Sequence, residues 1–304
     1  MIPDITYFVL DYNPSHSEKE ADWLRECLIS LYDNTDDSLS KVVYVLSQGN
    51  GTKQEEYLGR LSRFLDFHLL CMKDNLGISR GINHCVQMSR SPVVALVTSD
   101  TVLTKGMDID LWCKLNDGDS RLMHATPLTQ KSDIPYQQYV PEEDFGAESV
   151  VKMPGKDIFC IAYELTVNFW NRRLFDQIGF FDERWKACYE NLDFSLRSYI
   201  RGYDSIVSGS SFVWHRHGTC YQNDLLRHAY DGYLDYFMSG GFNHTPLREM
   251  WDLKWPGINN FIDIYKPVRS IGINDDDVVR LRSFLRREFE HNIYLPYIQK
   301  RVKY

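Results

Sequence analysis

Hydrophobic residues in the first hundred positions fall into short runs separated by longer segments of mixed polarity. The runs are rich in β-branched and aromatic residues, as buried strands are. They span residues 5–10, 42–46, 67–71 and 93–97. Between them, apolar residues recur at helical spacing, which predicts helices from Ser17 onward and over 53–65 and 78–89. Ser17 followed by Glu20 matches the capping-box pattern of a helix start.

This alternation predicts an α/β fold. Strands that are apolar throughout are typical of a mostly parallel sheet flanked by helices on both faces. In such sheets, ligands bind beyond the carboxyl ends of the strands. The polar residues that follow the predicted strands are therefore site candidates, and they are Asp11, Tyr12, Asn13, Ser47, Gln48, Ser99 and Asp100.

The chain beyond residue 105 is less regular. A polar stretch over 131–156 is either a loop near a site or ordinary surface. Amphipathic segments predict further helices over 223–238 and 278–289, so the C-terminal segment 239–304 is expected to be mainly helical. By default this segment packs on the core. Pairing with a second copy of the chain, as a homodimer, and contact with a membrane surface are the alternatives.

Length and composition restrict the class of protein. Of the 304 residues, 43% are hydrophobic and 25% are charged, which excludes a disordered or fibrous protein. No apolar run approaches the roughly 20 residues of a membrane helix, and the N-terminus lacks signal-peptide features. The 7 cysteines are odd in number and never form a CxxC pair, which indicates reduced thiols. We therefore expect a cytoplasmic protein.

The formal net charge is −8. It disfavours a nucleic-acid partner without excluding one, because phosphate contacts need basic side chains. The charge is uneven, since residues 239–304 carry 11 basic and 8 acidic side chains. That segment is either a solvated helix face or a surface that meets an anionic acceptor or membrane.

Several segments, in order along the chain, resemble the motifs of glycosyltransferase family 2. Asp11-Tyr12-Asn13 after the first strand resembles the opening strand and its Tyr-Asn pair. Asn75 to Asn83 resembles the N-x-G-x-x-x-G/A-x-N helix opening, and Thr98-Ser99-Asp100 occupies the place of the D-x-D metal motif. Further matches are Phe180 to Glu183, Tyr189 to Arg197, Gly202-Tyr203, Val213 to His215 and, more weakly, Lys254 to Gly257.

The resemblance implies a GT-A fold, with a Rossmann-like sheet, and transfer of a sugar from a nucleotide diphosphate-sugar to a hydroxyl on a glycan, lipid-linked or other acceptor. It also implies a nucleotide-sugar-binding half over 1–105, an acceptor-binding half over 106–238 and an extension over 239–304. Carried onto this sequence, the donor-binding residues are Asp11, Tyr12, Asn13, Ser47, Asn75, Gly77, Arg80, Asn83, Ser99 and Asp100.

Some donor contacts stay open. Arg80 would contact the diphosphate or hold Asp100 in a bidentate pair, and the alternative is an ordinary surface arginine. Gly77 allows close backbone approach at a helix start, where N–H groups face outward. Ser47 replaces the Asp that usually contacts the base. The identity of the base is therefore open. UDP is the commonest donor nucleotide of the family and is expected first, with GDP and dTDP behind it.

The resemblance implies a divalent cation, Mn²⁺ or Mg²⁺, which neutralises the departing diphosphate. Asp100 matches the last Asp of the D-x-D motif, but Thr98 replaces the first, which should weaken or alter metal binding. His215 matches a histidine that often completes the site, and imidazole suits Mn²⁺. The alternatives are that Asp100 caps a turn and that His215 makes an ordinary hydrogen bond.

The catalytic candidates are Glu190, Asn191 and Asp193. Glu190 and Asp193 share one face of a predicted helix start, where the helix dipole also favours acidic residues. In inverting family members, the residue after the Glu is an Asp that acts as general base, and Asn191 cannot do so. Either Glu190 or another carboxylate takes over, or the site is inactive, or the enzyme retains configuration. Retaining polypeptide N-acetylgalactosaminyltransferases have a similar Glu-Asn-Leu stretch.

Four aromatic residues of the second half could line a sugar or acceptor pocket, namely Trp170, Trp185, Tyr189 and Trp214. Trp185 is the best candidate, because it lies between two motifs, and Tyr189 is the next. Aromatic side chains more often belong to the core, which is the alternative for each of them.

Two rival functions stay open. A degenerate GT-A domain would bind a nucleotide-sugar or glycan without turnover, since Ser47, Thr98 and Asn191 all replace usual carboxylates. A sugar transferase acting on hydroxymethylated, phage-type DNA would use the basic C-terminal segment.

Overall fold

The computed structural model describes residues 2–14, 16–117, 121–130, 132, 134–141, 154–183, 190–216 and 283. Within these residues one nine-stranded sheet lies between helices. The strands are β1 Ile5–Asp11, β2 Lys41–Gln48, β3 His68–Met72, β4 Val93–Thr98, β5 Thr101–Leu103, β6 Leu122–Thr129, β7 Ile158–Cys160, β8 Val167–Asn171 and β9 Asp204–His215. The helices are α1 Glu18–Asn34, α2 Thr52–Leu61, α3 Gly77–Met88, α4 Met107–Asn116, α5 Phe175–Ile178 and α6 Glu190–Ile200, with a 3₁₀ turn at Arg172–Leu174.

The first half of the sheet is parallel, in the order β3-β2-β1-β4. The predicted α/β fold is confirmed, and each predicted strand lies within one or two residues of an observed one. The register aligns Asp11 with Ser47 and Leu10 with Thr98. The carboxyl ends of these strands therefore meet at one edge, where the sequence places its candidate residues.

The second half of the sheet is mixed. β8 joins β4 antiparallel and β6 joins β8 antiparallel, while β9 runs parallel to β6. The far end of β9 also pairs antiparallel with the short strand β5, and its near end with β7. β9 therefore extends across the second half and ends at the same edge as β4.

Apolar side chains cover both faces of the sheet. One core cluster packs α1, α2 and α4 on one face, and another packs α3, α5 and α6 on the opposite face. In the second cluster the rings of Phe181 and Phe194 stack with centroids 4.3 Å apart, and Trp170 meets Phe181 edge-on. Trp170 and Trp214 are both buried, so the core alternative is the correct one for these two tryptophans.

Some local expectations need correction. α2 ends at Leu61, four residues before the predicted end, because the chain turns at residues 62–64. Ser17 precedes α1 as expected, but its side chain makes no capping hydrogen bond. Instead the Asn13 side chain accepts from the Ser17 N–H at 2.7 Å and donates to the Ser17 carbonyl at 3.0 Å.

The predicted C-terminal helices, apart from Ser283, lie outside the described residues, as does most of the polar stretch 131–156. The division into 1–105, 106–238 and 239–304 therefore stays a prediction. Among the residues that are described, no helix is long and apolar enough to cross a bilayer.

Candidate active site

The turn after β4 places Asp100 beside the last residue of β9. Asp100 lies between β4 and β5, and Thr101 of β5 is the register partner of His215. The carboxylate Oδ2 of Asp100 is 3.3 Å from Nε2 of His215, and the two side chains are 15% and 12% exposed. The structure thus brings together the two residues that the sequence motifs single out for a metal.

Backbone and side-chain contacts hold this pair in place. The side-chain amide of Gln130 accepts from the N–H of His215 at 2.6 Å and donates to its carbonyl at 2.5 Å. The next N–H, that of Arg216, donates to the Asp100 carbonyl at 3.0 Å. The pair is therefore arranged before any ligand binds.

Asp100 is charged despite its burial. Burial acts to raise the pKa of this carboxyl, but the hydrogen bond and charge of His215 and the hydroxyl of Thr98 outweigh it, so the pKa is lowered. Thr98, which stands where a second Asp would be, also has its hydroxyl 2.9 Å from that of Thr101. An ionised carboxylate beside an imidazole is a ligand set that Mn²⁺ accepts.

The pair also has a suitable separation for two ligands of one ion. Metal–ligand bonds of about 2.0–2.1 Å at right angles place neighbouring ligand atoms roughly 3 Å apart. Over the described part of the chain, no group of three or more His, Cys, Asp or Glu side chains could hold a metal ion. Asp100 and His215 therefore fit a cation as two of its ligands.

Glu164 is a neighbour of this pair that sequence reasoning missed. Its Oε2 lies 3.9 Å from Nδ1 of His215, and its side chain is 16% exposed. A signal existed, because Glu164 is the one charged residue in the apolar stretch from Phe159 to Trp170. Acidic side chains are seldom buried without a specific partner.

The start of α6 lies next to the same segment. The Asn191 side chain donates to the carbonyl of Tyr163, the residue before Glu164. Glu190 is only 4% exposed. Burial raises the pKa of its carboxyl to about 7. Its Oε2 has no hydrogen-bond partner within the described residues. Asn191 is thus joined to the segment that carries Glu164.

Asp193 differs from Glu190, although both lie on α6. Its carboxylate is fully buried and pairs with the Arg197 guanidinium at 2.9 Å. Arg197 also donates to the carbonyls of Ile178, at 3.1 Å, and Phe180, at 2.9 Å. Asp193 therefore fixes an arginine that holds the segment before Phe181 against α6.

The part of the edge formed by β1 and β2 contains a buried polar network around Asp11. The carboxylate Oδ2 accepts from Asn50 at 2.7 Å and from Gln54 at 3.0 Å, and Asn50 also donates to Ser47 at 2.8 Å. Burial raises the pKa of Asp11 to about 6, because these neutral amides offset only part of the lost hydration. Asn13 also touches Gln54, at 3.4 Å. The structure thus brings together Asp11, Asn13 and Ser47, and it adds Asn50 and Gln54, which the motifs do not mark.

The turn after β2 packs against the loop that opens α3. Gly49 has a φ of +61°, and a Cβ there would lie 2.8 Å from the Asn75 backbone nitrogen. The Asn75 side chain accepts from the Gly77 N–H at 2.8 Å. Gln48, just before the turn, accepts from the Leu76 N–H at 3.2 Å. Asn75 and Gly77 therefore shape the backbone beside the Asp11 network.

Arg80 and Asn83 of α3 contact the Phe-Asp-Glu segment. The Arg80 guanidinium lies 3.4 Å from the Glu183 carboxylate, so the alternative in which it holds Asp100 is not observed. Asn83 donates to the Phe181 carbonyl at 2.9 Å and accepts from its N–H at 2.9 Å. Asn83 therefore links helix α3 to the segment around Phe181.

Of the remaining candidate residues, two lie at the carboxyl edge and two lie outside the described residues. Tyr12 follows β1 and Ser99 forms the turn with Asp100, and both are partly exposed at the carboxyl edge. Trp185 and Tyr189 lie outside the described residues, so their assignment to a pocket stays a prediction.

No protein-family model matches the sequence, and no curated protein matches it either. Solved structures do resemble the fold. Mannosyltransferase PcManGT from Pyrobaculum calidifontis, with GDP-Man and Mn²⁺, is 11% identical with a TM-score of 0.55, over 95% of this chain and 88% of that one. GalNAc-T7 with UDP, GalNAc and Mn²⁺ is 12% identical, with a TM-score of 0.56, and the match covers 96% of this chain and 57% of that one. TarS 1–349 from S. aureus with UDP-GlcNAc is 15% identical, with a TM-score of 0.51, and the match covers 71% of this chain and 59% of that one.

The chain thus spans less than two thirds of the GalNAc-T7 and TarS chains. At these identities the likeness concerns the fold. The chain has the mixed α/β sheet, flanked by helices, of GT-A glycosyltransferases.

Proposed function

We propose that the chain transfers a sugar from a nucleotide diphosphate-sugar to an acceptor hydroxyl, with a divalent cation, as a member of glycosyltransferase family 2 would. The observation that carries the proposal is the contact between Asp100 and His215 at the carboxyl edge of a GT-A sheet. The motif order of the sequence supports it. So do the nucleotides, sugars and Mn²⁺ bound to the structures that share the fold.

Asp100 and Nε2 of His215 would hold the cation, Mn²⁺ or Mg²⁺. When bound, the ion supplies charge neutralisation for the departing diphosphate. Since the described residues offer two ligands and Thr98 is no carboxylate, we propose that diphosphate oxygens join the coordination shell. We therefore expect the cation to bind far better with a nucleotide than alone.

The Asp11 network is proposed as the base and ribose end of the donor site, with Ser47 and Asn50 at its floor. Tyr12 and Ser99 flank it, and Asn75, Gly77 and Arg80 are proposed to face the diphosphate. UDP is the first expected nucleotide, because two of the structures that share the fold bind UDP or a UDP-sugar. GDP follows, because PcManGT binds GDP-Man.

On the acceptor side, we propose Glu190 or Asn191 as the group that faces the reacting sugar, and Asp193 as a positioning residue only. A carboxyl with a pKa of about 7 suits proton transfer at neutral pH. If the enzyme instead retains configuration, Asn191 is the candidate that orients the sugar. Trp185 and Tyr189 remain the proposed acceptor or sugar pocket, and segment 239–304 the proposed dimer surface.

Thermal unfolding of the full chain tests this proposal, with UDP, GDP, dTDP and CMP each measured with and without Mn²⁺. A ligand at 100 times its Kd adds roughly 2.7 kcal/mol of stability. We expect one nucleoside diphosphate to raise Tm, and to do so only with Mn²⁺. No shift with any of them overturns the proposal. A shift without hydrolysis or transfer of the matching nucleotide-sugar indicates the degenerate binding domain instead.

A further inference from the structure

The imidazole of His215 lies between two carboxylates. Asp100 Oδ2 is 3.3 Å from Nε2, and Glu164 Oε2 is 3.9 Å from Nδ1. Each carboxylate therefore pairs with a different nitrogen of the ring. Even with a charged imidazole this cluster is net negative, which favours a bound cation.

The geometry points to Glu164 as a positioning residue that orients His215 toward the cation. This inference rests on the proposed function, because it assumes that Asp100 and Nε2 share the ion. A nitrogen that binds a metal must offer a lone pair, so the single proton of a neutral ring then lies on Nδ1. Glu164 Oε2 is 3.9 Å from Nδ1, a separation typical of an ion pair and too long for a hydrogen bond. A carboxylate behind a metal-bound histidine fixes the ring orientation and raises its basicity.

The backbone of Glu164 is held on both sides, as a positioning role requires. Its N–H donates to the side chain of Gln137 at 2.8 Å, and its carbonyl accepts from Asn168 at 3.1 Å. Gln137 and Asn168 are both completely buried. Since Gln130 fixes the His215 backbone in a similar way, both partners of the contact have anchored main chains.

Glu164 is not needed as a direct ligand in this arrangement. It pairs with Nδ1, whereas Asp100 pairs with Nε2, and no three-ligand group is found among the described residues. Its contribution passes through His215, so it should affect the affinity for the cation and the protonation of the ring together.

Calorimetric titration of Mn²⁺ into the full chain, with UDP present, tests the inference on three variants. Glu164→Gln keeps the shape and one acceptor oxygen, Glu164→Met removes the acceptor at similar length, and Glu56→Gln removes a charge from an exposed position on α2. We expect Mn²⁺ affinity to fall about 10-fold in the first and up to about 100-fold in the second. The Mn²⁺ affinity of Glu56→Gln should stay within about twofold of wild type.

Nitrogen NMR of the His215 ring in the Mg²⁺ form gives a readout that a merely structural role would not move. Wild type should show one neutral tautomer with its proton on Nδ1. At the same sub-saturating Mg²⁺ concentration Glu164→Met should show a mixture, because weaker binding leaves part of the rings without the ion. Unchanged Mn²⁺ affinity and an unchanged tautomer in both Glu164 variants overturn the inference and leave the proposed function standing. Wild-type protein that binds no Mn²⁺ with any nucleotide contradicts both. If Glu164→Met disturbs folding, Glu164→Gln alone decides.

Discussion

Two regions at the same edge of the sheet bury a carboxylate in different ways. Asp11 ends β1 among the neutral amides of Asn50 and Gln54, and its pKa rises to about 6. Asp100 follows the neighbouring strand β4, and beside His215 its pKa falls. Two hydrogen bonds from amides do not replace the lost hydration of a charge, whereas an imidazole partner does. Asp100 is therefore a permanent anion and Asp11 a conditional one.

The strongest test of this comparison removes the cationic partner from a third buried carboxylate, Asp193. Arg197→Met should lower the free energy of unfolding by about 3–5 kcal/mol, since it leaves a charge without compensation in the core. Urea denaturation measures the loss. The exposed Arg173→Met is the matched control, with a change within about 0.5 kcal/mol. Equal stability of the two variants would contradict the comparison.

Removing the permanent anion should affect activity more than stability. Asp100→Asn should lower kcat for sugar transfer by about 10²–10³, as the loss of one electrostatic group at a reacting centre does. Steady-state kinetics at saturating Mn²⁺ measure this, with the exposed Asp37→Asn as control. Near-normal kcat in Asp100→Asn would remove this residue from the proposed metal site.

Asp11, the conditional anion, should instead make the free energy of unfolding depend on pH. A carboxyl whose pKa rises from 3.8 to about 6 on folding makes its full contribution to the free energy of unfolding at pH values below its unfolded pKa. That contribution is lost as pH rises through about 6, at a cost of about 3 kcal/mol. Wild type should therefore lose about that much between roughly pH 4 and pH 7 relative to Asp11→Asn. Parallel stability curves of the two proteins would show that folding does not raise the pKa of Asp11.

A smaller effect is expected at the turn that borders the Asp11 network. Gly49→Ala combines a left-handed backbone with a Cβ 2.8 Å from Asn75. Gly106→Ala has a similar φ of +76° in open space. The left-handed conformation costs roughly 1–2 kcal/mol in both, so only the clash separates them. Chemical denaturation should find Gly49→Ala clearly less stable, and equal losses would mean that Asn75 moves aside.

Periodicity predicted the parallel half of the fold well, because its strands are apolar throughout and its helices have one clear apolar face. The mixed half is set by pairings that no local pattern reveals. The strand β5 has three residues, and β6 and β9 pair in parallel although β7, β8 and α6 lie between them in the sequence.

Some residues of the candidate site were likewise predicted from motifs, whereas others depend on contacts that no local pattern reveals. Motif order marked Asp100 and His215, which the structure places in contact. Asn50, Gln54 and Glu164 were missed because each contact depends on tertiary register. Asn13 and Asn83 illustrate the converse. The motifs mark them for donor binding, yet their side chains join backbone segments, at the start of α1 and at Phe181.

The antiparallel pairing of Thr101 with His215 also bears on how the chain assembles. Asp100 and His215 are far apart in sequence, so their contact forms only after β9 has closed a long loop onto β5. Such non-local contacts are slow to form and appear late in folding. A cation that needs both residues would bind only the fully assembled sheet, and it would slow unfolding by stabilising that last closure. Protease resistance gained with Mn²⁺ and nucleotide would then report completed folding.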